Sequence, residues 1–240
     1  TPLSVDYDLL IPSPIPSTKH ASRLSCKVFD IGAAGCNLAV ALRARSVLDR
    51  ARAVLDYACV DLGPHALHCV ESANDAYPAL PPIKTLMLAP VRAGGRVTAA
   101  RAACLRHRAI WAEMLTGSDM VVLLAGLGGG PGSRISLLMA SVARAAGAVT
   151  VAAVVTPFEY EGVRNHRADA ALKRLQREAD LVMAFSNEEW FNRYRDDTPL
   201  FDVFAPLDRH IASQLDEVIF RLNTTRQPAD STFAPDCQSV

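Results

Sequence analysis

Short apolar runs alternate along the chain with longer stretches in which apolar residues recur every three to four positions. Runs at 26–31, 53–62, 83–89, 120–125, 149–155 and 181–185 read as strands. Stretches at 36–49, 98–116, 133–146, 160–178, 187–195 and 200–223 read as helices. The strands lack polar alternation, which predicts burial on both faces of a parallel sheet. Strand and helix, alternating along most of the chain, predict a doubly wound α/β domain. Pro12, Pro14 and Pro16 punctuate residues 1–23, read as a flexible leader. The Thr-, Gln-, Pro-, Asp- and Ser-rich residues 224–240 read as a disordered tail.

Composition narrows the classes of function. The chain has 240 residues, half of them hydrophobic, with 25 basic and 25 acidic side chains. A balanced charge points away from nucleic acid. The strongest apolar runs, 121–127 and 149–155, are far short of the ~20 residues that span a bilayer. No basic stretch precedes an apolar core at the amino end, so the reading is cytoplasmic, with no membrane partner. Six cysteines, at 26, 36, 59, 69, 104 and 237, form no C-x-x-C pair. They read as buried reduced thiols, with neither a disulfide framework nor a metal site expected.

Two predicted strand-to-helix turns carry glycine. The first is D-I-G-A-A-G-C-N at 30–37, and the second is G-L-G-G-G-P-G-S at 126–133. Ligands in such a sheet bind outside the carboxyl ends of the strands. Glycine lets an anion approach backbone N–H groups, and the following helix offers free N–H groups and the positive end of its dipole. The second run, with five glycines in seven residues, is the stronger phosphate signal. It is not a Walker loop, because no G-K-[ST] follows, and the first turn is not the dinucleotide G-x-G-x-x-G. Tight packing of helix on strand is the competing explanation for glycine in either turn.

The 119–133 segment, D-M-V-V-L-L-A-G-L-G-G-G-P-G-S, resembles the tubulin signature as it occurs in the FtsZ division GTPases, where G-G-G-T-G-[ST]-G follows an A-D-M strand. Residues 28–37 are similar to that family's first loop, V-x-G-x-G-G-x-G-x-N. Residues 148–162 resemble its strand and loop ending P-F-x-F-E-G, 185–188 its I-P-N-D, and 199–204 the L-L-D-A-F opening of its central helix. These motifs stand in the family's order across about 26–223.

The resemblance implies a Rossmann-like FtsZ/tubulin nucleotide-binding domain over 24–223 without a second domain, and GTP or GDP as ligand, with Mg accompanying the triphosphate. It places Gly32, Gly35 and Asn37 by the α- and β-phosphates, and Gly128, Gly129, Gly130, Gly132 and Ser133 in the main phosphate cradle. Glu161 would hold the ribose and Asn187 the sugar or base. Phe204 would stack on guanine, and the Asp208 carboxylate would accept from its N1 and N2 donors. Taken singly, Asn187 also reads as a helix cap, Phe204 as core, and Glu161 and Asp208 as a solvated face.

Departures from the family pattern shape the expected activity. Ala33 and Ala34 stand in the first loop for glycines, Pro131 for the signature threonine and Arg134 for its last glycine. Asp61-Leu62-Gly63 stands where the family has N-T-D, and Asn165 or Arg164 must replace an arginine near the ribose. Pro206 is expected to kink the long helix or reset its start. No N-x-D-x-x-[DE] follows residue 223, and Asp230 and Asp236 lack its spacing. The expectation is therefore weak or absent GTPase activity and a role through a partner, an FtsZ-family or other division protein. The alternatives are a GTPase completed in trans, a nucleotide-free interaction domain, and an unrelated dinucleotide-binding fold.

Overall fold

The computed structural model describes residues 24–46, 54–61, 65–76, 78, 82–87, 108–194 and 197–226. Six strands, β1 (Ser25–Ile31), β2 (Val54–Asp61), β3 (Lys84–Met87), β4 (Met120–Gly126), β5 (Val149–Thr156) and β6 (Leu181–Ser186), form one sheet. All neighbouring strands run parallel, in the order β3-β2-β1-β4-β5-β6. The helices are α1 (Gly32–Ser46), α2 (His65–Ala76), α3 (Arg108–Leu115), α4 (Gly130–Ala145), α5 (Val163–Glu178), α6 (Asn187–Phe191) and α7 (Leu200–Arg226), with a 3-10 turn at Glu159–Glu161. The doubly wound prediction holds.

β4 shows why the sheet is covered on both faces. Met120 through Ala125 are all fully buried. Val121, Leu123 and Ala125 pack with Ile135, Met139 and Leu175 of α4 and α5. Met120, Val122 and Leu124 pack with Leu38, Leu42, Ile211 and Leu215 of α1 and α7. Alternation along the strand thus feeds two apolar cores, and a polar face never arises. Fully burying each such side chain contributes about 1.5–3 kcal/mol. Asp119 and Asp180 fix the amino ends of strands by accepting from the N–H groups of Ser25 (2.9 Å) and Thr150 (2.8 Å).

Several boundaries differ from the sequence reading. α1 starts at Gly32 and α4 at Gly130, four and three residues earlier than the periodicity suggests, because glycine and proline there are helical residues and not loop. The 160–178 stretch divides at Gly162 into the 3-10 turn and α5, and α6 ends at Phe191. α7 continues to Arg226, through the first residues assigned to the tail, and runs unbroken past Pro206 from a start at Leu200. Residues 1–23 and 227–240, and the predicted helical residues 98–107, lie outside the described residues. α2 was not anticipated. Its sequence, HALHCVESANDA, is half polar, and Asn74 anchors it by exchanging two hydrogen bonds with the Ile83 backbone, at 2.9 and 3.0 Å.

Candidate functional site

The strand order reverses between β1 and β4, where crossovers leave in opposite directions and open a crevice at the carboxyl ends. Ile31 ends β1 opposite Ala125 of β4. Both glycine turns therefore sit side by side, at the centre of one end of the sheet. In the first turn β1 passes directly into α1. Gly32 makes that step with φ +73°, a conformation that L side chains rarely adopt. A Cβ on Gly32 would stand 3.8 Å from the Pro131 Cβ, so the two turns touch.

The other glycines divide by what surrounds them. A Cβ on Gly35 would lie 2.4 Å from the Leu124 carbonyl oxygen, and one on Gly132 would lie 2.0 Å from that of Gly126. These two let α1 and α4 rest directly on β4. Gly128 has φ +89°, and its α-carbon backs onto the Arg164 carbonyl, 2.8 Å from where a Cβ would be. Gly129 has nothing within 4 Å of that position and has ordinary extended dihedrals. Gly129 thus faces open space where Gly126, Gly128 and Gly132 do not.

α4 begins at Gly130 with Gly129 as its N-cap and Pro131 in its second position. The first N–H groups of a helix have no intrahelical acceptor. Pro131 lacks one of them, so its fixed φ favours the helix start while the set of free donors there shrinks. The buried Ser133 hydroxyl accepts from the Gly128 N–H at 2.9 Å, which holds the bend closed. Its hydrogen remains to donate. Arg134, half-buried, lines a cleft of about 110 Å³ between α4 and α5 with Gly129, Ser133, Arg167 and Arg174. Asn37, in the second turn of α1, is exposed.

The loop after β5 supplies the next group. Glu161 accepts from the Phe158 N–H at 3.0 Å and pairs with Arg164. Asn165 instead donates to the Phe158 carbonyl, so Arg164 is the basic partner of Glu161. Because Arg164 also abuts Gly128, this loop is joined to the second glycine turn. At the head of α6, Ser186 caps by accepting from the Glu189 N–H at 3.2 Å. The capping role considered for Asn187 therefore falls to its neighbour. The Asn187 side-chain oxygen is buried with no hydrogen-bond partner, an acceptor awaiting a donor.

α7 carries Phe204 and Asp208 one turn apart, on one helix face. Phe204 is half-buried, its ring 6.3 Å from that of Phe158, so the residue expected to stack on the base belongs to an aromatic cluster beside the Glu161 loop. Asp208 is half-buried; desolvation pushes its carboxyl up to about 7, against the pull of Arg209. Trp190 of α6 stacks on His210 of α7 at 5.0 Å and donates to the Val203 carbonyl at 3.1 Å, which ties the Asn187 end to the Asp208 helix. Burial and Arg193 lower the pKa of His210.

An open Gly129, an unpaired Asn187 oxygen and a raised Asp208 carboxyl fit a ligand with an anion at one end and hydrogen-bond donors at the other. Leu62 and Gly63, after β2, lie outside the described residues. Sequence reasoning missed one buried group here. Asp30 occupies the position of the first glycine in V-x-G-x-G-G-x-G-x-N, and its carboxyl is pushed up to about 7, chiefly by burial. An acid at 0% exposure inside a strand read as uniformly apolar was the available signal.

Comparison with known proteins agrees with this fold. A family model described as "Tubulin/FtsZ family, GTPase domain" matches residues 25–195. The cell division protein FtsZ of Mycoplasmopsis pulmonis is 37% identical over 111 residues, covering 45% of this chain and 28% of that protein. The FtsZ dimer of M. jannaschii superposes with a TM-score of 0.66 at 22% identity, over 84% of this chain and 56% of that one. CetZ2 from Haloferax volcanii, solved as a GTPgS-bound protofilament, gives 0.68 at 18% identity, over 87% and 61%. The chain thus spans about a third or less of the curated relatives it matches and somewhat over half of the solved structures. Matched over most of its length by that model, the chain belongs to the Tubulin/FtsZ family.

Proposed function

We propose that this chain is a guanine-nucleotide-binding module of the FtsZ type, with little GTPase activity of its own, that acts in cell division or cytoskeletal regulation by docking on a partner. The observation that carries the reading is the pairing of two helix-starting glycine turns at the β1/β4 switch point. Phosphates sit against Gly129, Gly130 and Ser133 of the second turn, with Gly32, Gly35 and Asn37 of the first alongside. Gly128 and Gly132 shape the bend behind them. Glu161 and Arg164 meet the ribose, Asn187 meets the sugar or base, and Phe204 and Asp208 meet guanine. Asp208 selects guanine because a carboxylate accepts from two adjacent donors that adenine does not present.

Weak turnover follows from the same residues. Pro131 withdraws a backbone donor from the α4 terminus, and the first turn carries alanines where the family has glycine. A complete family member presenting its own surface to this nucleotide face is the partner chemistry the reading implies. The decisive experiment is nucleotide analysis of the purified chain, with titrations of GTP, GDP and ATP. GTP and GDP should bind with clear preference over ATP. Equal affinities, or none for any nucleotide, overturn the proposal in favour of a nucleotide-free interaction domain. Phosphate release with GTP and magnesium, with and without a complete FtsZ, then reads the activity; rapid release by the chain alone counts against the weak-GTPase reading.

A further inference from the structure

A second cluster of chemically active side chains lies beneath the first glycine turn, and nucleotide binding uses none of it. Asp30 projects from β1 on the side of Cys26 and Val28, towards α1, as alternation along a strand requires. Cys59 is its register partner in β2, and Cys36 comes down from the second turn of α1. One Asp30 oxygen and the two sulfurs all lie within 4.8 Å of one another. All three residues are at 0% exposure. Neither Asp30 oxygen makes a hydrogen bond of ordinary geometry, although the Cys59 thiol and Val60 N–H lie near enough to favour its charged form.

A buried carboxylate without firm donors is expensive, and thiols are weak donors. A cation offsets that burial where a second side chain does not. Two sulfurs and one carboxylate oxygen form a donor set for a borderline-soft dication, and thiolates disfavour magnesium or calcium. Tetrahedral zinc places such ligand atoms about 3.5–3.8 Å apart, so the cluster, with its atoms within 4.8 Å of one another, needs to contract by about 1.3 Å at most. With both thiols protonated the metal-free cluster carries at most the one carboxylate charge, and two thiolates, a carboxylate and a dication also sum to a single negative charge, so the metal pairs the buried carboxylate without adding to that charge. The two thiol protons leave to solvent as the metal enters.

We propose that Asp30, Cys36 and Cys59 form a buried binding site for a thiophilic divalent cation, zinc by donor preference, that ties β1, β2 and α1 together under the first glycine turn. Among the described residues no further His, Cys, Asp or Glu joins the cluster. The ligands come from three separate elements, which is why spacing along the chain does not reveal them. The site is independent of whether nucleotide binds.

The test uses the full 240-residue chain, reduced, stripped with a chelator and titrated with cobalt(II), then zinc. The expected result is about one cobalt per chain with a strong near-ultraviolet thiolate-to-cobalt band, which zinc abolishes by displacement. Zinc-edge X-ray absorption should then fit two sulfurs and a light-atom shell. Asp30→Asn, and Cys36→Ser combined with Cys59→Ser, should weaken zinc by more than about tenfold, since even outer-shell changes lose 10–100-fold. Cys26→Ser, a buried thiol outside the cluster, should leave affinity unchanged. Circular dichroism screens each variant for folding, and if the cysteine variants do not fold, the cobalt and absorption spectra of the unaltered chain decide. A folded, reduced chain without the cobalt band overturns the proposal. So does a band that persists in the folded double variant, or a Cys36–Cys59 disulfide that survives reductant.

Discussion

The two glycine turns look alike in sequence and are built differently. The first has no loop, because β1 ends at Ile31 and α1 starts at Gly32. The second inserts a bend, 127–129, held by the Ser133 hydroxyl on the Gly128 N–H. In the first turn Gly35 is there because α1 lies on the Leu124 carbonyl. In the second, Gly132 does that same packing work while Gly129 stands open. Counting glycines therefore overstates the anion site. Close packing accounts for Gly35 and Gly132 and backbone conformation for Gly32 and Gly128, whereas Gly129 is bound by neither and stands open.

The largest effect should come from testing that division. Gly132→Ala and Gly35→Ala drive a Cβ to 2.0 and 2.4 Å from backbone oxygens that cannot move without shifting β4. Each should destabilise the fold by more than about 3 kcal/mol, read by denaturant unfolding. Gly129→Ala meets no atom and keeps allowed dihedrals, so stability should change by less than about 1 kcal/mol. Yet nucleotide affinity should fall about tenfold in Gly129→Ala, because the Cβ enters the ligand's space. Equal destabilisation of all three variants would erase the distinction between packing and open glycines.

That distinction marks how far the sequence was legible. Apolar runs without alternation located the strands, because β1, β4 and β5 are covered on both faces and their burial needs no tertiary detail. α2 stayed hidden because half of its residues are polar and Asn74 holds it through the Ile83 backbone nine residues on, a polar contact that leaves no mark in the apolar pattern. The motif order placed Gly128–Ser133, Glu161 and Asp208 on connected elements. What it could not supply was which neighbour each residue meets: that Ser133 is engaged by Gly128, that Arg164 and not Asn165 pairs with Glu161, and that Asp30 points at two thiols.

If the second turn holds phosphates, the base must reach α7, and Asp208 reports it. The Asp208 carboxyl, raised by burial to about 7, accepts from guanine only when ionised. Affinity for GTP should therefore rise about tenfold between pH 6 and pH 8 and level off above. Asp208→Asn should lose roughly 1–3 kcal/mol of binding at pH 8 and flatten that pH profile. The sign for the unliganded fold is opposite. A folded-state pKa above the ordinary 3.8 means that Asp208 contributes most stability below about pH 4 and that this is lost as pH rises towards 7. A GTP affinity that falls with rising pH would detach Asp208 from the base.

The second turn should also be improvable where the first is not. Pro131→Thr restores an N–H at the α4 terminus, and Arg134→Gly opens the wall beside Gly129. Together they should tighten GTP by about 1 kcal/mol or more, roughly one hydrogen bond's net contribution, seen as a several-fold lower Kd. In the first turn, Ala33→Gly should change affinity less than this pair does, because β1 feeds straight into α1 and leaves no bend for an added glycine to relax. A greater gain from Ala33→Gly would make the first turn the principal phosphate contact.

The smallest expected effect separates the bend from the ligand at Ser133. Its hydroxyl accepts from the Gly128 N–H inside the protein, so Ser133→Ala strands a buried donor at a position with φ +89°. Stability should fall by about 1 kcal/mol, and the bend should loosen. Ser133→Thr keeps the acceptor and should recover most of that loss if the added methyl fits beside Arg134. Nucleotide affinity tells the two roles apart. If Ser133 only shapes the bend, Ser133→Ala should weaken GTP and GDP alike by the same few-fold factor, because every phosphate sees the same displaced Gly129. If its remaining hydrogen also donates to a phosphate, the loss should be larger for one nucleotide than for the other. Titration of both nucleotides against Ser133→Ala and Ser133→Thr distinguishes these outcomes, and a fully stable Ser133→Ala with unchanged binding would show that the second turn closes without its serine.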